Sequence, residues 1–125
     1  MKSLGPLLEL TLFVSDLDRS TAFFRALGFD VESWPGAESS TADVTLGALD
    51  APIIQLFQAN DTHPPTRCQL GFQVSDVAVV AVALDACGFA WTCDLPHRLG
   101  TWWQGNRVNV AALDPGYPQP AVASE

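Results

Sequence analysis

From Leu8 to Val14 aliphatic residues occupy every second position, Leu8, Leu10, Leu12 and Val14, with Glu9, Thr11 and Phe13 between them. A period of two predicts a strand with one face in the core. After Asp16 the period lengthens. Leu17, Phe24 and Leu27, with Thr21 between, share one face of a predicted helix. Ser15 or Asp16 caps it, Asp18 suits its positive end, and Gly28 supplies the left-handed residue that closes it. Shorter extended segments follow at 30–33, 42–48 and 52–57.

The same order returns 60 residues later. Leu10, Val14, Ser15, Asp16, Ala26, Gly28 and Phe29 are matched by Leu70, Val74, Ser75, Asp76, Ala86, Gly88 and Phe89. A strand, cap, helix and terminal glycine repeated in order mark a duplication. The second helix carries Val77, Val80, Ala81 and Leu84 and is nearly all Ala and Val, which predicts deeper burial than the first. Its extended segments are expected at 89–93, 107–113 and 117–122. Each copy thus reads strand, helix, strand, strand, strand: module 1 over 7–58 and module 2 over 67–123. The linker at 59–66 is held extended by Pro64 and Pro65. Each half alone is too small for its own core, so residues 1–125 are expected to form a single domain.

Charge narrows the function. Fourteen acidic residues against six basic ones give a net charge of −8 and a pI near 4.4. Such a chain repels phosphate backbones and anionic membranes, which argues against nucleic-acid and membrane partners. No apolar run approaches the length of a membrane span, and the start of the chain lacks a secretory leader, so a cytoplasmic protein is expected. Cys68, Cys87 and Cys93 have neither disulfide nor zinc spacing. His63, in the linker, and His97 stand alone. No phosphate loop, nucleophile elbow or dinucleotide fingerprint occurs.

The strands ending in Val-Ser-Asp, the helix closing on Leu27-Gly28-Phe29, the Ile54-Gln55-Leu56-Phe57-Gln58 run and Asp114-Pro115-Gly116 together resemble the glyoxalase/bleomycin-resistance/vicinal oxygen chelate superfamily. The resemblance implies an α+β fold of two tandem βαβββ modules, whose mixed sheets curve into a cup for a ligand or metal. It also implies a homodimer, with modules paired within one chain or swapped between two, and Gly5-Pro6 marking an arm that can exchange. Enzymes of the superfamily place metal ligands on the first, fourth, fifth and eighth strands. Here those places hold Glu9, Gln55, Gln69 and, on an eighth strand at 117–122, Ala121. One carboxylate and two amides suit a divalent ion poorly. No metal or other cofactor is expected; Glu9, Gln55 and Gln69 are the ligands if there is one. Pro118 and Pro120 further deprive that strand of donors.

Aromatic residues stand where ligands are missing. Trp34, Phe57, Trp91, Trp102 and Trp103 are candidate cup residues beside Glu9, Gln55 and Gln69. Adjacent Trp102 and Trp103 cannot both face inward from one strand. Residues 94–105, with Pro96, Gly100 and Gly105, are expected to form a mobile rim. Stacking and cation–π contact in such a cup suit a hydrophobic, planar aromatic or cationic natural product. The first reading is metal-independent sequestration of a small molecule, possibly an antibiotic, as in the bleomycin-resistance branch. A metal-dependent isomerase, lyase or dioxygenase with a degenerate site is the second, and an interaction module with a filled cup is the third.

Overall fold

In the structure, a computed structural model, both helices begin just after the capping residues and end just before the closing glycines. The structure describes residues 7–36, 40–47, 51–95 and 98–112. Strand β1 (Glu9–Val14) leads into α1 (Leu17–Ala26), then β2 (Asp30–Trp34), β3 (Thr41–Thr45) and β4 (Ile53–Gln58). The second copy runs β5 (Gln69–Val74), α2 (Val77–Ala86), β6 (Trp91–Leu95), β7 (Arg98–Trp103) and β8 (Asn106–Ala112). Of the two candidate caps, Asp16 and Asp76 do the capping: their carboxylates accept from Arg19 N at 3.0 Å and Ala78 N at 2.9 Å. Gly28 and Gly88 close the helices at φ 99° and 78°.

The two sheets have the same topology. Sheet A has the order β1-β4-β3-β2 and sheet B the order β5-β8-β7-β6. The β1–β4 and β5–β8 pairs are parallel and the others antiparallel. This is the expected α+β pair of βαβββ modules. The register corrects two expectations in module 2. Segment 98–103, placed in a mobile rim, is an inner strand, with Leu99, Thr101 and Trp103 buried. The eighth strand is 106–112, so the segment first assigned to the seventh strand is the eighth. Residues 117–122, with Ala121, lie outside the described residues. Thr92 answers Glu32, Gly100 answers Asp43 and Asn109 answers Gln55, so the offset of 60 falls to 57 and then to 54. Gln104 and Gly105, at φ 49° and 83°, make the tight β7–β8 turn.

One buried cluster draws on both modules. Phe23 and Phe24 of α1 reach across to sheet B: Phe23 stacks on Trp103 with centroids 5.5 Å apart, and Phe24 meets Trp103 edge-on at 5.0 Å and Phe72 at 6.3 Å. Trp103 Nε1 donates to Ser20 Oγ at 2.8 Å, and that hydroxyl donates to Asp16 O at 2.8 Å. Each module also caps a helix of the other. Gln104 receives Ser15 Oγ and Asp16 N and donates to Asp16 O at the start of α1. Arg19 of α1 donates to the carbonyls of Cys87 and Gly88 at the end of α2, with its guanidinium 3.8 Å from the Phe89 ring centroid. Helix α2 has no basic residue in its last turn, so the cation at its negative end comes from α1.

The burial expected of α2 is reversed. Only Val80 and Leu84 are buried, while Val79 and Val82 are exposed. Six residues of α1 are buried, because α1 packs on sheet A and on α2, while Phe23 and Phe24 reach Trp103 and Phe72 of sheet B. An apolar composition without a strong period gives α2 one narrow buried stripe.

Ser20→Ala leaves the Trp103 indole N–H buried without an acceptor and is expected to lower the unfolding free energy by about 1–3 kcal/mol in a urea titration. Burial pushes the Cys68 thiol above its ordinary range, whereas Cys87 and Cys93 are exposed. A raised pKa leaves less thiolate at a given pH, so Ellman's reagent at mildly alkaline pH should modify Cys87 and Cys93 before Cys68.

Candidate functional site

Strand alternation gives each sheet a face turned away from the helices. On sheet A the even residues of β1 and β4, Leu10, Leu12, Val14, Ile54 and Leu56, pack in or against the core. The odd residues face the other way. Register aligns them in three rows across the sheet: Glu9, Ile53, Thr45 and Asp30; Thr11, Gln55, Asp43 and Glu32; Phe13, Phe57, Thr41 and Trp34. The third row is an aromatic strip. Phe13 and Phe57 have centroids 5.7 Å apart, and His63 of the linker stacks on Phe13 at 4.6 Å. Trp34 is 51% exposed, and its Nε1 donates to Asp43 Oδ2 at 3.2 Å, which fixes the ring's edge against the sheet. Four carboxylates, from Glu9, Asp30, Glu32 and Asp43, share this face.

Among the described side chains, the outer face of sheet B differs in sign and relief. Gln69, Arg107 and Trp102 form one row; Gly71, Asn109, Gly100 and Thr92 form the next; Gln73, Ala111 and Arg98 lie in the third. Trp102 is 58% exposed and Trp103 1% exposed, so the pair splits as adjacent strand residues must. The Arg107 guanidinium carbon sits 5.3 Å from the Trp102 ring centroid, and Arg107 Nε donates to Asn109 Oδ1 at 3.1 Å.

The candidate residues therefore separate into three groups. Glu9, Trp34, Gln55 and Phe57 lie together on the outer face of sheet A; Gln69 and Trp102 lie on that of sheet B. Trp91 and Trp103 belong to the helix side. Trp91 Nε1 donates to Asp85 Oδ1 of α2 at 2.9 Å, and Trp103 is in the core. Gln55 meets Thr11 Oγ1 at 3.5 Å rather than Gln69, which sits on the other sheet. Asn109 and Arg107 were missed because the eighth strand was placed too late in the chain. His63 was set aside as a lone loop histidine, although Thr66, bonded to Phe13 N and O, lays the linker along the free edge of β1.

Among the described residues, no three His, Cys, Asp or Glu side chains lie close enough to hold a metal ion. The places corresponding to the expected ligands hold Glu9 and Gln55 on sheet A, and Gln69 and Asn109 on sheet B. One carboxylate and three amides do not neutralise a catalytic divalent cation, so this donor set does not fit one. A separate cleft of about 300 Å³ between the end of α1 and the start of α2 is lined by Leu27, Phe29, Val74, Asp76 and Val79 among others, and by none of the candidate residues.

Duplicated βαβββ modules with this strand order decide the family of folds. The fold is that of the glyoxalase/bleomycin-resistance/vicinal oxygen chelate superfamily. Residues 7–47 match the family model described as bleomycin resistance protein-like N-terminal. An antibiotic binding protein, TnmS3 from Streptomyces sp. CB03234, is similar in structure with a TM-score of 0.69 and 20% identity, over 91% of this chain and 100% of that one. The trypanothione-dependent glyoxalase I of Leishmania major is similar with a TM-score of 0.68 and 16% identity, over 87% of each chain. The fosfomycin resistance protein FosX of Listeria monocytogenes is similar with a TM-score of 0.67 and 16% identity, over 90% of this chain and 94% of that one. Curated proteins include no match by sequence. No helix among the described residues is long and apolar enough to cross a membrane.

Acrylamide quenching tests the placement of the indoles. Trp34→Phe combined with Trp102→Phe should remove most of the quenchable emission and leave the weakly quenched signal of partly buried Trp91 and the shielded signal of Trp103. If Trp103→Phe removes the quenchable component instead, the assignment of faces is wrong.

Proposed function

We propose that this protein is a metal-independent binding protein that sequesters a planar aromatic natural product, an antibiotic being the leading class, and leaves it chemically unchanged. The observation that carries the reading is the pair of half-exposed tryptophans, Trp34 and Trp102, one on the outer face of each sheet and each held by a polar neighbour. An exposed indole held in one orientation loses little entropy when a flat ring stacks on it. The poor fit of the Glu9, Gln55, Gln69 and Asn109 donor set to a divalent ion supports binding over metal-assisted catalysis. Similarity to a protein described as antibiotic binding agrees with it.

A cup walled by both sheets takes two chains, because both outer faces point away from the helices between them. The faces suit each other: sheet A carries Glu9, Asp30, Glu32 and Asp43, and sheet B carries Arg98 and Arg107. A homodimer that lays sheet A of one copy over sheet B of its partner encloses a ligand between Trp34 and the partner's Trp102. Opposite charges across such a seam favour that pairing over like against like. This arrangement operates in the cytoplasm and needs neither membrane nor nucleic acid.

Titration with a panel of planar antibiotics should quench tryptophan emission saturably in metal-free protein, and Trp34→Ala and Trp102→Ala should each weaken binding at least about tenfold, given the energy of an aromatic stacking contact. Stoichiometric metal retained through purification and lost on Glu9→Ala, without quenching by any antibiotic, would instead support the enzyme. Sedimentation should give a dimer that loosens at high salt; a monomer at high concentration would overturn the shared cup.

A further inference from the structure

We propose that the cleft between the end of α1 and the start of α2 is a binding site for a small alkylguanidinium compound, separate from the outer faces of the sheets and independent of the sequestration reading above. The duplication itself supplies the chemistry. At the matching junction, between the end of α2 and the start of α1, a guanidinium is already in place. Arg19 Nη1 donates to Cys87 O at 2.9 Å and Nη2 to Gly88 O at 3.3 Å, and its Cζ lies 3.8 Å from the Phe89 ring centroid. Two carbonyls at the negative end of a helix and the ring of a phenylalanine thus receive a guanidinium there. The offset of 60 residues holds through both helices and carries Cys87, Gly88 and Phe89 onto Leu27, Gly28 and Phe29. It carries Arg19 onto Val79.

All four of these residues line the cleft of about 300 Å³. The Val79 side chain has no donor, and among the described residues no hydrogen bond reaches the carbonyl of Leu27 or Gly28. A second difference opens the opposite wall. In module 1 Gln58, paired with Val14, donates to Ser15 O at 2.8 Å. The residue paired with Val74 is Ala112, so Ser75 O, at the cleft, lacks that donor. Beside it the Asp76 carboxylate answers the positive end of α2 through Ala78 N and adds a negative charge to the lining. Arg25, in the last turn of α1, is directed elsewhere, with Nη2 bonded to Val31 O at 3.1 Å. The cleft therefore presents the acceptors of its twin without the twin's cation. Its volume admits a guanidinium on a chain of a few carbons, for which Leu27, Val79 and Val80 offer apolar contact. A net charge of −8 favours the approach of cations, and an anion placed there would be opposed by both helix-end carbonyls.

Butylguanidinium and butylurea share a shape and differ in charge, so amide shifts of the full chain in nitrogen-15 NMR spectra, titrated with each, separate charge from fit. Butylguanidinium should shift the amides of Gly28, Phe29, Asp76 and Val79 saturably, with a dissociation constant on the order of a millimolar for a ligand of that size. Butylurea should bind about tenfold more weakly. Val79→Arg should supply the missing cation from within the chain, abolish butylguanidinium binding and raise the melting temperature. Arg19→Ala should empty the matching junction and add a second saturable set of shifts at Cys87, Gly88 and Phe89; should that variant not fold, Val79→Arg decides alone. No saturable shifts at the four cleft amides, equal binding of the two probes, or unchanged butylguanidinium binding in folded Val79→Arg overturns the site. Neither variant touches Trp34 or Trp102, so tryptophan quenching by planar antibiotics reports separately on the sequestration reading.

Discussion

The indole of Trp103 joins the two halves of the molecule. It stacks on Phe23, meets Phe24 edge-on and donates to Ser20, so one side chain of the second module is built into the first helix of the first. Full burial of a residue that large is stable only when its N–H has an acceptor, and Ser20 is that acceptor. Gln104, next in sequence, binds the amide and carbonyl of Asp16, while Arg19 of the same helix closes α2. Each module thus adds a contact from outside to one helix end of the other, beyond that helix's own cap and closing glycine.

Using the helix side of both sheets for this junction leaves the other side of both for something else. Sheet A and sheet B share a topology, yet among the described side chains their outer faces differ in charge, with four carboxylates on the one and two guanidinium groups on the other. Each retains a tryptophan tethered through a polar contact. The asymmetry lies in the outward-facing positions, odd-numbered on β1, β3, β4, β5 and β8 and even-numbered on β2, β6 and β7, while the parallel pairs keep the same register in both sheets.

The duplication was readable because β1, α1 and their successors keep a constant offset, and because caps and closing glycines are local signals. What escaped was the shortening of the hairpins in module 2. The β6–β7 and β7–β8 connections are each three residues shorter than their counterparts, so the eighth strand comes before Asp114-Pro115-Gly116, and Ala121, placed by its distance beyond Asp114, took the place that belongs to Asn109. Strand β7 was hidden by its own contents. Gly100 and Gly105 read as parts of a mobile rim, whereas Gly100 makes room for Arg107 and Gly105 shares a tight turn with Gln104, which holds α1. The direction of Trp102 against Trp103 depends on register, which no local pattern carries. Burial of α2 was misjudged because composition alone does not say how many sides of a helix meet a neighbour.

In β1 and β4 the residues that hold the molecule together and those that face outward alternate one by one. A substitution at Glu9, Thr11, Gln55 or Phe57 leaves Leu10, Leu12, Ile54 and Leu56 in place, so the outward surface can be rewritten with little loss of stability. The outward surface can therefore change through single steps, each tolerated by the fold, and can drift faster than the architecture. A scaffold organised in this way lends itself to many unrelated chemistries while its interior hardly changes.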